Sequence, residues 1–147
     1  MIRIGKLTDY AMLIMGEIAK ASGSILSAAH IADALHLTTP TVSKILKMLS
    51  EAGLVSSVRG AEGGYYLAKP AENITIADII CAMEGEIALT VCCEQSGRCS
   101  IDSLCTMREN WIKINRMIHS FLAGLTILDM SIPISSAGFL QRLVHGK

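Results

Sequence analysis

Cys93, Cys99 and Cys105 have five residues between each neighbouring pair. They lie in a polar, glycine-containing stretch from Thr90 to Thr106 that holds four of the five cysteines. Structural zinc usually takes cysteine pairs separated by two to four residues, so this even, wider spacing suits zinc poorly. It suits a loop that wraps an iron–sulfur cluster, whose irons take thiolates from an irregular segment. A helix predicted to start at the last of the three favours the Cys105 thiolate through its dipole, with Arg98 and Arg108 at hand. Three thiols leave one ligand position open, and Asp9, Cys92, Glu94, Asp102 and Glu109 are candidates for it. An oxygen ligand weakens such a site, which fits a sensor better than an electron carrier. Cys92, adjacent to Cys93, is poorly placed for the same iron and reads as a spare. Cys81, in an apolar helical stretch, reads as buried. The bland alternative is a set of unrelated free thiols, a liability seldom clustered without use. The histidines His30, His36, His119 and His145 are scattered singly, which argues against a Cys–His hydrolase.

A second chemistry lies upstream. Ala11, Ile14, Met15 and Ile18 recur at helical spacing after a predicted N-cap at Thr8, with Asp9 in the first turn. A second helix follows Ser27 and runs from Ala28 to Leu35. A third starts at Thr39, with Pro40 where a missing N–H costs nothing, and ends near Gly53. Two short helices joined by a tight connection read as a helix-turn-helix. Beyond them, Leu54–Arg59 and Tyr65–Ala68 flank a glycine cluster as a β-hairpin, and a hairpin at that place is a wing. A major groove admits one helix, whose leading polar residues reach base edges. Thr39, Thr41, Ser43 and Lys44 fit that role, Lys47 fits phosphate, and Arg59 at the wing's lip fits phosphate or a minor groove. For Lys44 and Lys47 a merely solvated helix face is the rival reading.

Thr75 and Asp78 open a further helix as a capping box. After the cysteines, Trp111, Ile114, Ile118, Phe121, Leu125 and Leu128 recur at three- and four-residue spacing, a seam for a two-fold partner on a helix of roughly 20 residues. Thr126 with Asp129 is a second possible helix start. The expected fold is mainly α with a small β-hairpin wing. It comprises a winged helix-turn-helix DNA-binding domain at 1–84, a cysteine-rich cluster-binding loop at 85–106, a dimerisation helix at 107–132 and a tail at 133–147.

The 147 residues, 51% hydrophobic, exclude a disordered chain and make two full domains improbable. Thirteen basic residues balance thirteen acidic ones, which excludes a globally basic nucleic-acid coat protein but not a local basic face. Residues 1–70 carry seven basic and five acidic groups, so DNA affinity must rest on placement and pairing. No apolar run approaches the ~20 residues that cross a bilayer. Asp9 and Glu17 interrupt the apolar stretch a secretory signal needs. The odd cysteine count without such a signal points to a reducing, cytoplasmic setting.

Four features together resemble the Rrf-two family of winged-helix iron–sulfur regulators over nearly the whole chain. They are Lys6-Leu-Thr-Asp-Tyr10, Gly53-Leu-Val-Ser-Ser-Val-Arg-Gly60 followed by Gly63-Gly-Tyr-Tyr-Leu-Ala-Lys-Pro70, the cysteine trio, and Trp111. Glu84-Gly-Glu-Ile-Ala-Leu-Thr90 and Asn110-Trp-Ile-Lys-Ile-Asn115 most resemble family members that regulate the SUF cluster-assembly operon. The resemblance implies a dimeric transcription factor, not an enzyme, whose cluster reports iron–sulfur status or oxidants. IscR-type members place a histidine three residues after the third cysteine, where this chain has Arg108. NsrR-type members use an aspartate in the first helix of the other subunit, matched here by Asp9. The cluster type therefore stays between 2Fe–2S and 4Fe–4S, with 2Fe–2S preferred. The resulting expectation is a cytoplasmic homodimeric repressor of SUF-type genes that binds double-stranded DNA at half-sites about 34 Å apart. The alternatives are a thiol-, redox- or zinc-responsive winged-helix regulator without a cluster, and an iron–sulfur carrier.

Overall fold

The computed structural model describes residues 3–94, 99–101 and 104–132. Helix α1 (Lys6–Lys20) turns Ala11, Ile14, Met15 and Ile18 into the core. Helix α2 (Ala28–Ala34) is capped by Ser27, whose hydroxyl accepts the His30 N–H at 3.1 Å. His36 then reverses the chain in the left-handed region, at φ 53°. Helix α3 (Thr39–Glu51) carries Pro40 in its first turn and buries Val42, Ile45, Leu46 and Leu49 as one stripe. Its N-cap is Thr38, whose hydroxyl accepts the Thr41 N–H at 3.4 Å.

Strands β1 (Val55–Val58) and β2 (Gly64–Leu67) pair antiparallel, with Val55 opposite Leu67 and Val58 opposite Gly64. Leu26, in the connection before α2, bridges Tyr65 through two backbone hydrogen bonds of 3.0 and 2.8 Å, fixing the root of the wing to the helices. Gly64 is obligatory there: a Cβ on it would fall 2.4 Å from the Leu26 carbonyl oxygen. A 3-10 turn at Ala71–Asn73 leads to α4 (Ile76–Glu84), which opens on the reciprocal Thr75–Asp78 capping box. A second 3-10 turn at Val91–Cys93 precedes α5 (Arg108–Ala123) and α6 (Ile127–Met130).

Three local expectations are corrected. Gly5, not Thr8, caps α1, and it does so without a side-chain cap of its own. The Glu84 carboxylate supplies what is missing, accepting the Gly5 N–H at 2.6 Å and the hydroxyl of Thr8, which is 1% exposed. An anion at a helix N-terminus both fills an orphan donor and meets the positive end of the dipole.

The segment 107–132 is not one helix. α5 stops at Gly124, and Thr126 with Asp129 caps α6 afresh. Leu125 leaves the helical seam because the backbone here is recruited elsewhere: Ile76 N–H donates to Leu125 O at 2.8 Å and Ile127 N–H to Ile74 O at 3.0 Å. Ile127 is buried in the same core as α1 and α3, so the end of the described chain folds back into the winged helix.

Cys81, the third correction, is exposed rather than buried. α4 buries Ile76, Ala77, Ile79 and Ile80, and Cys81 lies at the edge of that face.

Candidate functional site

The start of α3 presents Thr39, Ser43, Lys44 and Lys47 to solvent, while Val42, Ile45 and Leu46 on the other side anchor the helix. Thr41 is half-buried and its hydroxyl lies 2.8 Å from that of Thr38, so it shares in the cap as well as in the helix's leading end. Lys47 is exposed and sits 3.9 Å from Glu51 one turn on, a loose pair that partly offsets its charge. Arg59 is exposed where β1 leaves the hairpin, just before Gly60 at φ 124°. A helix with a polar, cationic outer edge beside a short hairpin with a cation at its lip has the shape of a major-groove reader with a wing.

The other four cysteines follow α4 in the chain. Cys92 and Cys93 sit on the 3-10 turn, Cys99 follows in irregular chain, and Cys105 precedes α5; all four are partly exposed and none is in a disulfide. Cys105 is not at the helix start as expected. Met107 is the N-cap, and Arg108 N–H reaches the Cys105 carbonyl at 3.4 Å, so that thiol lies just outside the first turn. The Thr90 hydroxyl is 3.1 Å from the Cys92 sulfur and 3.3 Å from that of Cys93. Among the described residues no three His, Cys, Asp or Glu side chains are gathered as ligands of a metal ion, so Cys93, Cys99 and Cys105 are not brought together within one chain. Asp9 is exposed in the first turn of α1; Glu94 and Glu109 are exposed; Arg98 and Asp102 lie outside the described residues, as does the tail at 133–147.

The donor set still fits an iron–sulfur cluster in kind. It offers soft thiols, partly open to solvent, with Cys93 ending a 3-10 turn and Cys99 and Cys105 outside helix and sheet. Asn115, which the sequence marks only through its family resemblance, fixes the base of this segment. Asn115 of α5 accepts the Leu89 N–H and donates to the Ile87 carbonyl, both at 2.9 Å, and so pins the approach to Thr90. An amide facing inward among Ile112, Ile118 and Leu122 was the available signal.

None of the α5 side chains is fully buried. Trp111, Ile114, Met117 and Phe121 are all at least 40% exposed, with Ile118 half-buried between them. Among the described residues no helix is long and apolar enough to cross a membrane.

The Rrf2 profile, described as an iron-dependent transcriptional regulator, matches residues 4–132. The HTH-type transcriptional regulator CymR of Bacillus subtilis is 34% identical over 131 residues, covering 88% of this chain and 90% of CymR. The solved structure of B. subtilis CymR, described there as the global cysteine regulator, superposes with a TM-score of 0.68 at 32% identity, over 89% of this chain and 97% of that one. IscR of T. potens superposes at 0.64 with 28% identity, over 88% of this chain and 85% of its own. A reading head built of α2, α3 and the hairpin is thus accompanied by similarity along almost the entire length, and the chain belongs to the Rrf2 family of DNA-binding transcriptional regulators, which are not enzymes.

Proposed function

We propose that this regulator is a cytoplasmic homodimeric repressor of SUF-type iron–sulfur assembly genes that holds an iron–sulfur cluster, 2Fe–2S in preference to 4Fe–4S, on Cys93, Cys99 and Cys105. The observation that carries the proposal is that these three thiols are evenly spaced and partly exposed on the irregular segment joining α4 to α5. The similarity to IscR supports it. Asp9 of a second copy is the proposed fourth ligand, since it is exposed at the start of α1. When bound, such a cluster supplies bonds that respond to electrons and oxidants.

The protein's own residues do the rest. The exposed apolar stripe of α5 pairs two copies, because water-exposed Trp111, Ile114 and Phe121 on one face are too apolar to be left open. Thr39, Thr41, Ser43 and Lys44 then meet base edges, and Lys47 and Arg59 meet phosphates of double-stranded DNA. Anaerobic reconstitution of the full chain, followed by iron and sulfide analysis and a visible spectrum, tests the cofactor. Coloured protein that loses its absorbance in C93S, C99S and C105S supports the reading. Protein that stays colourless and iron-free after reconstitution overturns it.

A second reading is a thiol-responsive regulator without a cluster. It is favoured by the adjacent thiols Cys92 and Cys93, both within reach of the Thr90 hydroxyl, and by the likeness to a cysteine regulator. Colourless protein whose DNA affinity changes with thiol oxidants, and no longer does so in C92S/C93S, is its signature.

A further inference from the structure

Between α4, the Val91–Cys93 turn and α5 lies a cleft of 690 Å³, within the range that takes small molecules. Cys81 faces it from α4, Cys92 and Cys93 from the turn, and Arg116 and His119 from α5, with Glu86 as its acid. Cys81 has no part in the proposed ligand set, yet it is exposed and opens into a cavity with bases on the opposite wall. The Asn115 hydrogen bonds to residues 87 and 89 hold those walls together. At 3.6 residues per turn, Ile112, Arg116 and His119 are turned away from Ile114, Met117 and Phe121, with Asn115 and Ile118 between the two sets. Covering the apolar stripe therefore leaves the cleft open.

We propose that this cleft is a site of reversible S-thiolation, in which Cys81 forms a mixed disulfide with small carboxylate-bearing disulfides. The Cys81 sulfur attacks one sulfur of R–S–S–R. The Cys81–S–S–R bond forms as the old S–S bond breaks, and R–S⁻ leaves with the proton that Cys81 gave up. Arg116 and His119 hold the carboxylate of the incoming reagent, and a guanidinium suits that group in two-pronged fashion. The site needs no bound iron, and its chemistry can be read without DNA, so its failure is separable from failure of the function proposed above.

The test treats the full chain with dithiodiglycolate, a dianion, or with the neutral bis(2-hydroxyethyl) disulfide. Each rate is normalised to that reagent's rate with a free thiol, and adducts are mapped by intact mass and peptide mass. The expected result is a first adduct at Cys81, formed about tenfold faster with the dianion, the worth of one hydrogen bond to a charged group. That preference disappears in R116A, and the adduct disappears in C81S, with unchanged circular dichroism in both. A first adduct at Cys92, Cys93, Cys99 or Cys105, a disulfide closed within the cleft in place of the adduct, or a preference indifferent to R116A overturns the proposal.

Discussion

Replacing Glu84 by alanine removes the single carboxylate oxygen that both the Gly5 N–H and the Thr8 hydroxyl use. The two donors fare differently afterwards. Gly5 is exposed and its N–H rehydrates, so its loss resembles the loss of a helix cap, about 1 kcal/mol. Thr8 is 1% exposed, and its hydroxyl is left buried without that acceptor, at about 2 kcal/mol. The sum, about 3 kcal/mol, lowers the melting temperature by roughly 6–12 °C for a chain of this size. T8V removes the stranded hydroxyl in advance, so E84A should cost only about 1 kcal/mol in that background, a coupling of about 2 kcal/mol. Urea and thermal unfolding of the four proteins, all at one fixed concentration, measure the cycle. Additive losses in the double variant, or an E84A protein within about 0.5 kcal/mol of the parent, refute the idea that a distant carboxylate caps α1.

Three further outcomes follow from the same geometry. R59A should weaken DNA binding across sequences and lower the slope of log affinity against log salt by about 1, whereas K44A should narrow the preference for operator over unrelated DNA; K47A should do less than R59A because Glu51 already shares its charge, and fluorescence anisotropy over a salt series on both DNAs reads all three. I127A, although near the end of the described chain, should destabilise the winged helix by about 2–5 kcal/mol in urea unfolding, as a core truncation does. I114D should turn the proposed dimer into folded monomers by sedimentation velocity with little change in circular dichroism, since Ile114 is 42% exposed; a folded dimer in I114D would place the pairing surface elsewhere.

The helix-turn-helix and wing were legible because their signals are local. Ser27, Pro40 and the Thr75–Asp78 box mark helix starts, and Val42, Ile45, Leu46 and Leu49 fall on one face whatever the rest of the chain does. The errors came where distant backbone intervened. Leu125 and Leu128 continue the seam's spacing perfectly well, and nothing nearby reveals that residues 74–76 will pair with 125–127. Thr8 has every local property of a cap, but Glu84, 76 positions away, changed its role. A signal did exist, since an acidic residue closing a helix opposes the dipole and so calls for a partner elsewhere. At the cysteines, spacing announced the chemistry, but spacing carries no information about where three thiols on irregular chain come together.

α4 is where the two halves of the molecule meet. Its first turn is bound to the chain after α5, its last residue caps α1, and its body packs against α1, α3 and α5. The cysteine segment leaves from its C-terminal Gly85 and rejoins the fold at α5. Any rearrangement of that segment that moves the last turn of α4 must therefore loosen the Glu84 cap, and the ~3 kcal/mol held there matches the usual size of a coupling energy between sites. E84Q keeps an acceptor but discards the charge, so it should weaken this link while leaving the fold intact. The expected result is that DNA affinities of the intact-cysteine and C93S/C99S/C105S proteins, which differ in the parent after anaerobic reconstitution, converge when both carry E84Q. An undiminished difference in the E84Q pair would mean that the cysteine segment reaches α3 by a route that bypasses the start of α1.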